Sequence, residues 1–262
     1  MKASWDTLIR RAEELASLGG GSSELLTFYA ILLRAQRQVY ESLRNHKAWI
    51  PSGSLEQDLK LMRPSVSALV EAVEASGPAL LADEARRLLQ SSGAEIDEML
   101  IQYWRSPSGD QFFAKAFLQP YARLLAELGR KPADRNLAGG ENLCPFCAGK
   151  PQLSLLKNQE PSSEAGGRSL LCSTCLSEWP FRRVVCAGCG EERPAKLGYF
   201  HTPEYDHVRV EACDTCLHYI KGIDLTRLGF AAPLVDEVAA APLDLWARER
   251  GYTKIELNLV GL

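Results

Sequence analysis

The chain has 262 residues, 46% hydrophobic and 24% charged, enough for one large globular domain or two to three small ones. Its formal net charge of −3 argues against a surface built throughout to coat nucleic acid. No stretch reaches the roughly 18 consecutive apolar residues of a membrane span, and the N-terminus has no apolar signal core, so the expected location is the cytoplasm.

In chain order, residues 1–130 read as an α-helical domain. Trp5, Leu8, Ile9, Ala12, Leu15 and Leu18 recur at helical spacing until Gly19-Gly20-Gly21 stops the run. Ser22 or Ser23 is placed to cap a second helix carrying Leu25, Phe28, Leu32, Ala35, Val39 and Leu43. Pro51 and Gly53 open a loop. Pro64 suits the first position of a third helix with Val66, Leu69, Val70 and Val73, ended by Gly77-Pro78. Leu80, Leu81, Ala85, Leu88 and Leu89 mark a fourth helix. Ile96, Met99, Leu100 and Tyr103 mark a fifth that stops at Ser106-Pro107-Ser108-Gly109. Asp110 is placed to cap a long sixth helix with Phe113, Phe117, Tyr121, Leu124 and Leu128, which Pro120 should kink. Such stripes are first of all the core of a helix bundle.

Residues 131–142 are polar and contain Gly and Pro, as a linker does. The cysteines follow: Cys144, Cys147, Cys172, Cys175, Cys186, Cys189, Cys213 and Cys216, all eight in C-x-x-C pairs. Close pairs without a secretory signal point to thiolate ligands in a reducing compartment, not to a disulfide framework.

The region is an internal repeat, residues 143–181 and 182–222. Cys186 and Cys189 fall 42 residues after Cys144 and Cys147, and Cys213 and Cys216 fall 41 after Cys172 and Cys175. Arg168 aligns with Arg209, Thr174 with Thr215 and Leu176 with Leu217. Between its cysteine pairs each copy has two short β-prone runs: Leu153–Leu156 and Ser169–Leu171, joined by the loop 157–167, then Leu197–Phe200 and Val208–Val210. A tetrahedral thiolate site needs four sulfurs at about 2.3 Å from one metal. Two residues between cysteines let a tight turn aim both sulfurs at one centre, and the hairpin returns the second turn opposite the first. Each copy holds one full set, so two sequential four-cysteine sites are expected; cross-bracing of first pair with third is the alternative arrangement. The rival chemistry, a thioredoxin-like dithiol, needs one pair in a strand-to-helix context. Zinc and iron both suit four sulfurs.

Eight thiolates leave no ligand position for His46, His201, His207 or His218. Arg182, Arg183, Arg193 and Lys196 form a basic patch that a solvated face explains better than a nucleic-acid site. Glu178-Trp179 and Tyr219-Ile220-Lys221 follow the second knuckle of each copy and are placed to pack on the metal loops; Glu178, Trp179, Arg182 and Arg183 together suggest a partner-contact platform. Residues 223–262 form a tail with short helical pieces at 234–238 and 243–250 and an alternating segment, Ile255, Leu257 and Leu259, that suits an edge strand. No G-x-S-x-G, H-E-x-x-H, P-loop or G-x-G-x-x-G motif occurs, so no catalytic residues are assigned.

Cys-Pro-Phe-Cys at 144–147, Leu-Cys-Ser-Thr-Cys-Leu-Ser-Glu-Trp at 171–179, Arg183 ahead of Cys-Ala-Gly-Cys-Gly, and Glu-Ala-Cys-Asp-Thr-Cys-Leu-His-Tyr-Ile-Lys at 211–221 resemble the FdhE family of formate dehydrogenase accessory proteins. Pro-Leu-Asp-Leu-Trp-Ala at 242–247 and Gly-Tyr-Thr-Lys at 251–254 are similar to that family's C-terminus. The resemblance implies an α+β, multi-domain protein: a helical domain followed by two tandem rubredoxin-like or zinc-ribbon modules holding two metal ions, iron before zinc. It also implies a non-enzymatic maturation factor that binds the formate dehydrogenase catalytic subunit in the cytoplasm before export. The competing classes are a metal-ribbon nucleic-acid-binding regulator and a rubredoxin-like electron-transfer protein.

Overall fold

A computed structural model describes residues 3–47, 49–107, 111–158 and 167–262. The helical part comprises α1 (Trp5–Ser17), α2 (Ser23–Arg44), α3 (Leu55–Met62), α4 (Pro64–Ser76), α5 (Ala79–Gln90), α6 (Gly93–Arg105) and α7 (Phe112–Glu127). Side-chain caps fix two starts. Ser4 Oγ accepts the Thr7 N–H at 3.1 Å, and Ser92 with Glu95 forms a reciprocal capping box at α6. Ser22 takes the N-cap position of α2, but its hydroxyl donates to the Ala239 carbonyl instead, tying the helix to the distant tail. The Asp110 cap lies outside the described residues.

The sequence pattern passes over α3, an eight-residue helix in the expected loop. Its buried Asp58 explains the turn ahead of it, accepting the Ser52 N–H at 2.9 Å, the Trp49 indole N–H at 3.1 Å and the Tyr121 hydroxyl at 2.7 Å. Those three bonds satisfy a carboxylate that burial would otherwise penalise.

Helix α7 is buried from Phe113 to Leu125 and occupies the centre of the molecule. Its apolar stripe meets α2 and α6. Lys115, Gln119 and Arg123 recur every fourth residue, so they line up along one face. Each holds a different partner. Lys115 Nζ bonds Glu256 at 3.0 Å, Gln119 Nε2 donates to the Ser173 carbonyl at 2.9 Å, and Arg123 Nη2 donates to the Ala3 carbonyl at 2.9 Å. A polar ridge on the central helix therefore ties together the tail, a cysteine turn and the N-terminus.

The cysteine region folds as β1 (Pro151–Leu156), β2 (Arg168–Cys172), β3 (Glu178–Pro180), β4 (Leu197–His201), β5 (Val208–Cys213) and β6 (His218–Asp224). Residues 159–166 of the β1–β2 loop lie outside the described residues. The two copies of the repeat share one sheet, in the order β3-β2-β1-β6-β5-β4. Each copy is an antiparallel three-strand meander. The copies join where β1 runs parallel to β6, with Leu153 opposite Lys221 and Leu156 opposite Asp224. Leu153, Leu155, Leu170, Val210 and Ile223 are buried, and the core continues without a break from these strands into the helices. Small hairpins gain there the apolar burial, about 1.5–3 kcal/mol per large side chain, that neither copy could find alone.

The tail packs back as α8 (Pro233–Ala239) and α9 (Ala241–Glu249). The strand expected around Ile255–Leu259 falls earlier, at β7 (Thr253–Lys254), parallel to β6. Burial of the Lys254 side chain there is matched by a closed ion network. Lys254 bonds Glu237 and lies 3.3 Å from Asp244, Lys221 bonds Asp244, and Tyr219 donates to Asp244 at 2.8 Å. The chain is thus mixed α+β, helices first and a β-rich region after. Among the described residues no helix is long and apolar enough to cross a membrane.

Candidate metal centres

Four turns carry the cysteines, and they share one backbone. The residue after the second cysteine of each pair sits in the left-handed region: Ala148 at φ 54°, Leu176 at 55°, Gly190 at 76° and Leu217 at 55°. Among the described residues, Ala148, Leu176 and Leu217 are the only non-glycine residues at positive φ. A residue in this conformation reverses the chain within one step and costs about 1–2 kcal/mol when it carries a Cβ. The reversal closes the knuckles with backbone hydrogen bonds, a pair of them at Cys144 and another at Cys186. Ala148 N–H reaches the Cys144 carbonyl at 2.8 Å, Gly190 reaches Cys186 at 3.0 Å and Leu217 reaches Cys213 at 2.9 Å. In the other direction, Cys144 N–H bonds Gly149 at 2.9 Å, Cys172 bonds Ser177 at 3.0 Å and Cys186 bonds Glu191 at 2.9 Å.

The turn also aims amide groups at sulfur. Cys172 Sγ accepts from the Thr174 and Cys175 N–H groups at 3.3 and 3.5 Å, and Cys186 Sγ accepts from Gly188 and Cys189 at the same two distances. Such bonds favour thiolate over thiol.

The structure brings Cys144, Cys147, Cys172 and Cys175 into one group and Cys186, Cys189, Cys213 and Cys216 into another, each with its sulfurs within 4.8 Å of one another. Within a group the first cysteine faces the fourth and the second faces the third. Cys144 and Cys175 are 3.6 Å apart, Cys147 and Cys172 3.5 Å, Cys186 and Cys216 3.7 Å, and Cys189 and Cys213 3.8 Å. A tetrahedron of bonds ~2.3 Å long has edges of about 3.8 Å. The sulfurs are thus spaced as ligands of one ion and are far outside the ~2.05 Å of a disulfide; among the described residues no cysteine forms a disulfide.

Electrostatics agree with that spacing. Hydrogen bonds from Cys147 and Cys172 draw the Cys144 thiol down, and those from the other three sulfurs hold Cys175 well below the usual thiol range. Cys147 is raised chiefly as the donor to Cys144, and Cys172 is pushed up first by burial and then by its thiol neighbours. In the first group two sulfurs are thus shifted toward the thiolate and two toward holding their protons. A divalent or trivalent cation at the centre would displace those protons. In the second group burial works against the Cys213 thiolate, but the Cys216 and Thr215 amides outweigh it and bring the thiol down.

The other sequence candidates fall outside both groups. His218 Nδ1 contacts the Cys216 carbonyl at 2.6 Å without facing a sulfur set, and His207 Nε2 pairs with Asp236 at 3.0 Å. Trp179 is 6% exposed and its indole donates to the Glu141 carbonyl, so it packs beside the first knuckle and offers no partner surface. Arg182 pairs with Glu192 and Arg193 with Glu191, which neutralises much of the basic patch. Sequence reasoning missed Gly149: a Cβ there would lie 2.7 Å from Cys172 Sγ and 2.8 Å from Thr174 Oγ1. The signal was a glycine two residues past a C-x-x-C.

Comparison with known proteins agrees with this architecture. Family models described as the FdhE central domain and the FdhE C-terminal domain match residues 143–183 and 184–260. An FdhE homolog of Aquifex aeolicus is 27% identical over 92% of this chain and 89% of its own length. One of Shewanella oneidensis is 30% identical over 58% of this chain and 49% of its own. The crystal structure of the FdhE protein from Pseudomonas aeruginosa superposes with a TM-score of 0.68 at 24% identity, covering 99% of this chain and 97% of that one, and so has the same fold. With consecutive models across both cysteine groups and relatives alike over nearly the whole length, the chain belongs to the FdhE family.

Proposed function

We propose that this protein is an accessory factor for the maturation of formate dehydrogenase, that its eight cysteines hold two metal ions, iron in first place and zinc as the alternative, and that it acts without an active site of its own. In this reading it binds the catalytic subunit in the cytoplasm before export. The observation that carries the proposal is the pair of four-sulfur groups with tetrahedral edge lengths, set in the two matched regions of the family. Bound metal would supply folding energy to hairpins that are short and pinned at both ends by sulfur. The result is a rigid surface suited to holding another protein, not a cleft suited to turnover. The near-neutral pairing of the basic patch weighs against the nucleic-acid reading.

Two measurements test it. Elemental analysis of protein purified without added metal should give iron plus zinc near two per chain. A strain with Cys186→Ser and Cys189→Ser should lose formate dehydrogenase activity while transcribing the enzyme's genes normally, and the variant should no longer co-purify with the tagged catalytic subunit. A fall in transcripts would transfer support to a regulator. Full activity with both groups destroyed would sink the proposal.

A further inference from the structure

The repeat makes two clusters of one design, and the fold treats them unequally. Leu176 and Leu217 hold equivalent positions, both at φ 55°, yet Leu176 is 4% exposed and Leu217 is 55% exposed. The same contrast runs through the knuckles before them. Cys172 to Cys175 are buried without exception, whereas Asp214 and Thr215 are exposed and Cys216 is half-buried. All four sulfur residues of the first group are buried, while in the second Cys189 is exposed.

The surroundings explain the difference. Helix α7 covers the first group and clamps it through the Gln119 bond to the Ser173 carbonyl. Ser173 N–H is held by the Lys150 carbonyl at 3.0 Å, and Gly149 lies too close to Cys172 to accept a methyl group. Among the described residues no helix of the bundle covers the second group in this way. A Cβ at Gly190, next to Cys189, would meet nothing within 4 Å.

We propose that the second cluster is an exchange site, through which a metal passes between this protein and a thiol-bearing acceptor by way of Cys189, while the first keeps its metal as part of the fold. The inference rests on the metal reading above. Exchange at a four-sulfur centre is a ligand substitution. An incoming thiolate forms a bond to the metal, the bond to Cys189 Sγ breaks, and the proton given up by the incoming thiol ends on the departing Cys189 sulfur. No oxidation state changes, so no oxidant or reductant is required. Repetition at the half-buried Cys216 would leave the ion held by two protein sulfurs and two from the acceptor. In the first group the same attack has no path, because every sulfur lies beneath packed side chains.

The test uses the full chain loaded with zinc and a chromogenic chelator, with glutathione as the thiol probe. Zinc content comes first and tests the metal reading alone: two per chain supports it, and none overturns it together with the exchange site. With two bound, one equivalent should leave at least about tenfold faster than the other, at a rate that rises with glutathione concentration. Cys189→Ser should abolish the fast equivalent and keep the slow one. Iodoacetamide labelling of the zinc-loaded wild type, read by mass spectrometry, gives an arm free of folding defects. Cys189 and Cys216 should be modified while Cys144, Cys147, Cys172 and Cys175 are protected. Two zinc ions leaving at one rate, a fast phase that survives Cys189→Ser, or equal labelling of both groups would overturn the exchange site and leave the metal reading standing.

Discussion

Arg168 Nη2 donates to Glu211 Oε2 at 2.6 Å, an ion pair across the two copies of the repeat whose side chains are 2% and 6% exposed. Arg209, the repeat equivalent of Arg168, donates to the other oxygen of the same carboxylate at 2.7 Å. Duplication made two arginines, but Leu170 stands where the second glutamate would be. One carboxylate therefore serves two guanidinium groups. Arg168 completes its bonds with Ser154 Oγ at 2.9 Å and the Arg182 and Val185 carbonyls at 2.7 and 2.9 Å. The residues touched belong to both copies: Ser154 to the first, and Arg182, Val185 and Glu211 to the second.

Removing Glu211 should therefore cost more than removing Arg209. Glu211→Ala leaves the buried Arg168 charge uncompensated, a loss of about 3–5 kcal/mol. Arg209 is partly exposed, and its loss leaves the Arg168–Glu211 pair intact, so Arg209→Ala should cost about 1 kcal/mol or less. Urea unfolding of the two variants gives the comparison, and equal costs would show that the pair does not join the copies.

Gly149 offers a separate test of the first cluster. An added methyl at 2.7 Å from Cys172 Sγ must push the knuckle aside. Gly149→Ala should destabilise the protein by about 1–3 kcal/mol and weaken the tighter of the two metals by about tenfold. Competition with a chelator, followed by elemental analysis, reads this directly. An unchanged affinity would mean that the knuckle tolerates the shift.

The cysteine groups were legible because their geometry is local: a C-x-x-C turn needs only four residues, and the duplicated spacing says which turns meet. Helices with wide apolar stripes were legible for the same reason. The strand that joins the copies was not. β6 contains Lys221 and Gly222, and nothing near them in sequence shows that Lys221 can be buried, since Asp244 lies 23 residues further on. β3 is three residues long and ends in Pro180, too short for a periodicity. The ridge of Lys115, Gln119 and Arg123 was hidden because a pattern of apolar stripes leaves out polar residues, and Glu256, Ser173 and Ala3, which they hold, are 54 to 141 residues away.

Leu176 and Leu217 predict opposite responses to one substitution. Glycine adopts φ 55° freely, so Leu217→Gly should relieve the left-handed strain at an exposed site and be neutral or stabilising by about 0.5–1 kcal/mol. Leu176→Gly relieves the same strain but removes a buried side chain, for a net loss of about 2–4 kcal/mol. Thermal unfolding of both zinc-loaded variants should move Tm in opposite directions or leave Leu217→Gly unchanged. A large loss from Leu217→Gly would mean that this leucine is packed against a partner in the sample, such as a second chain.

The buried ion network predicts a pH dependence with a definite sign. Burial first, and repulsion from Lys254 after it, bring the Lys221 ammonium down from 10.5 to about 8 against the opposing pull of Asp244 and Glu237. Between pH 8 and 10.5 the unfolded chain holds this proton and the folded chain gives it up. Stability rises with pH wherever the unfolded state binds more protons, so the contribution of Lys221 grows as pH rises through that window and is lost as pH falls back to about 8. Other groups titrate nearby, the tyrosines of the unfolded chain among them, so the quantity to measure is a difference. Unfolding free energy of the wild type minus that of Lys221→Met should be flat below about pH 7, then shift in the wild type's favour by up to about 3 kcal/mol by about pH 10.5. Urea titrations at intervals of half a pH unit would show it. A flat difference across the window would place the Lys221 proton in the folded state throughout, held by Asp244 more strongly than burial repels it.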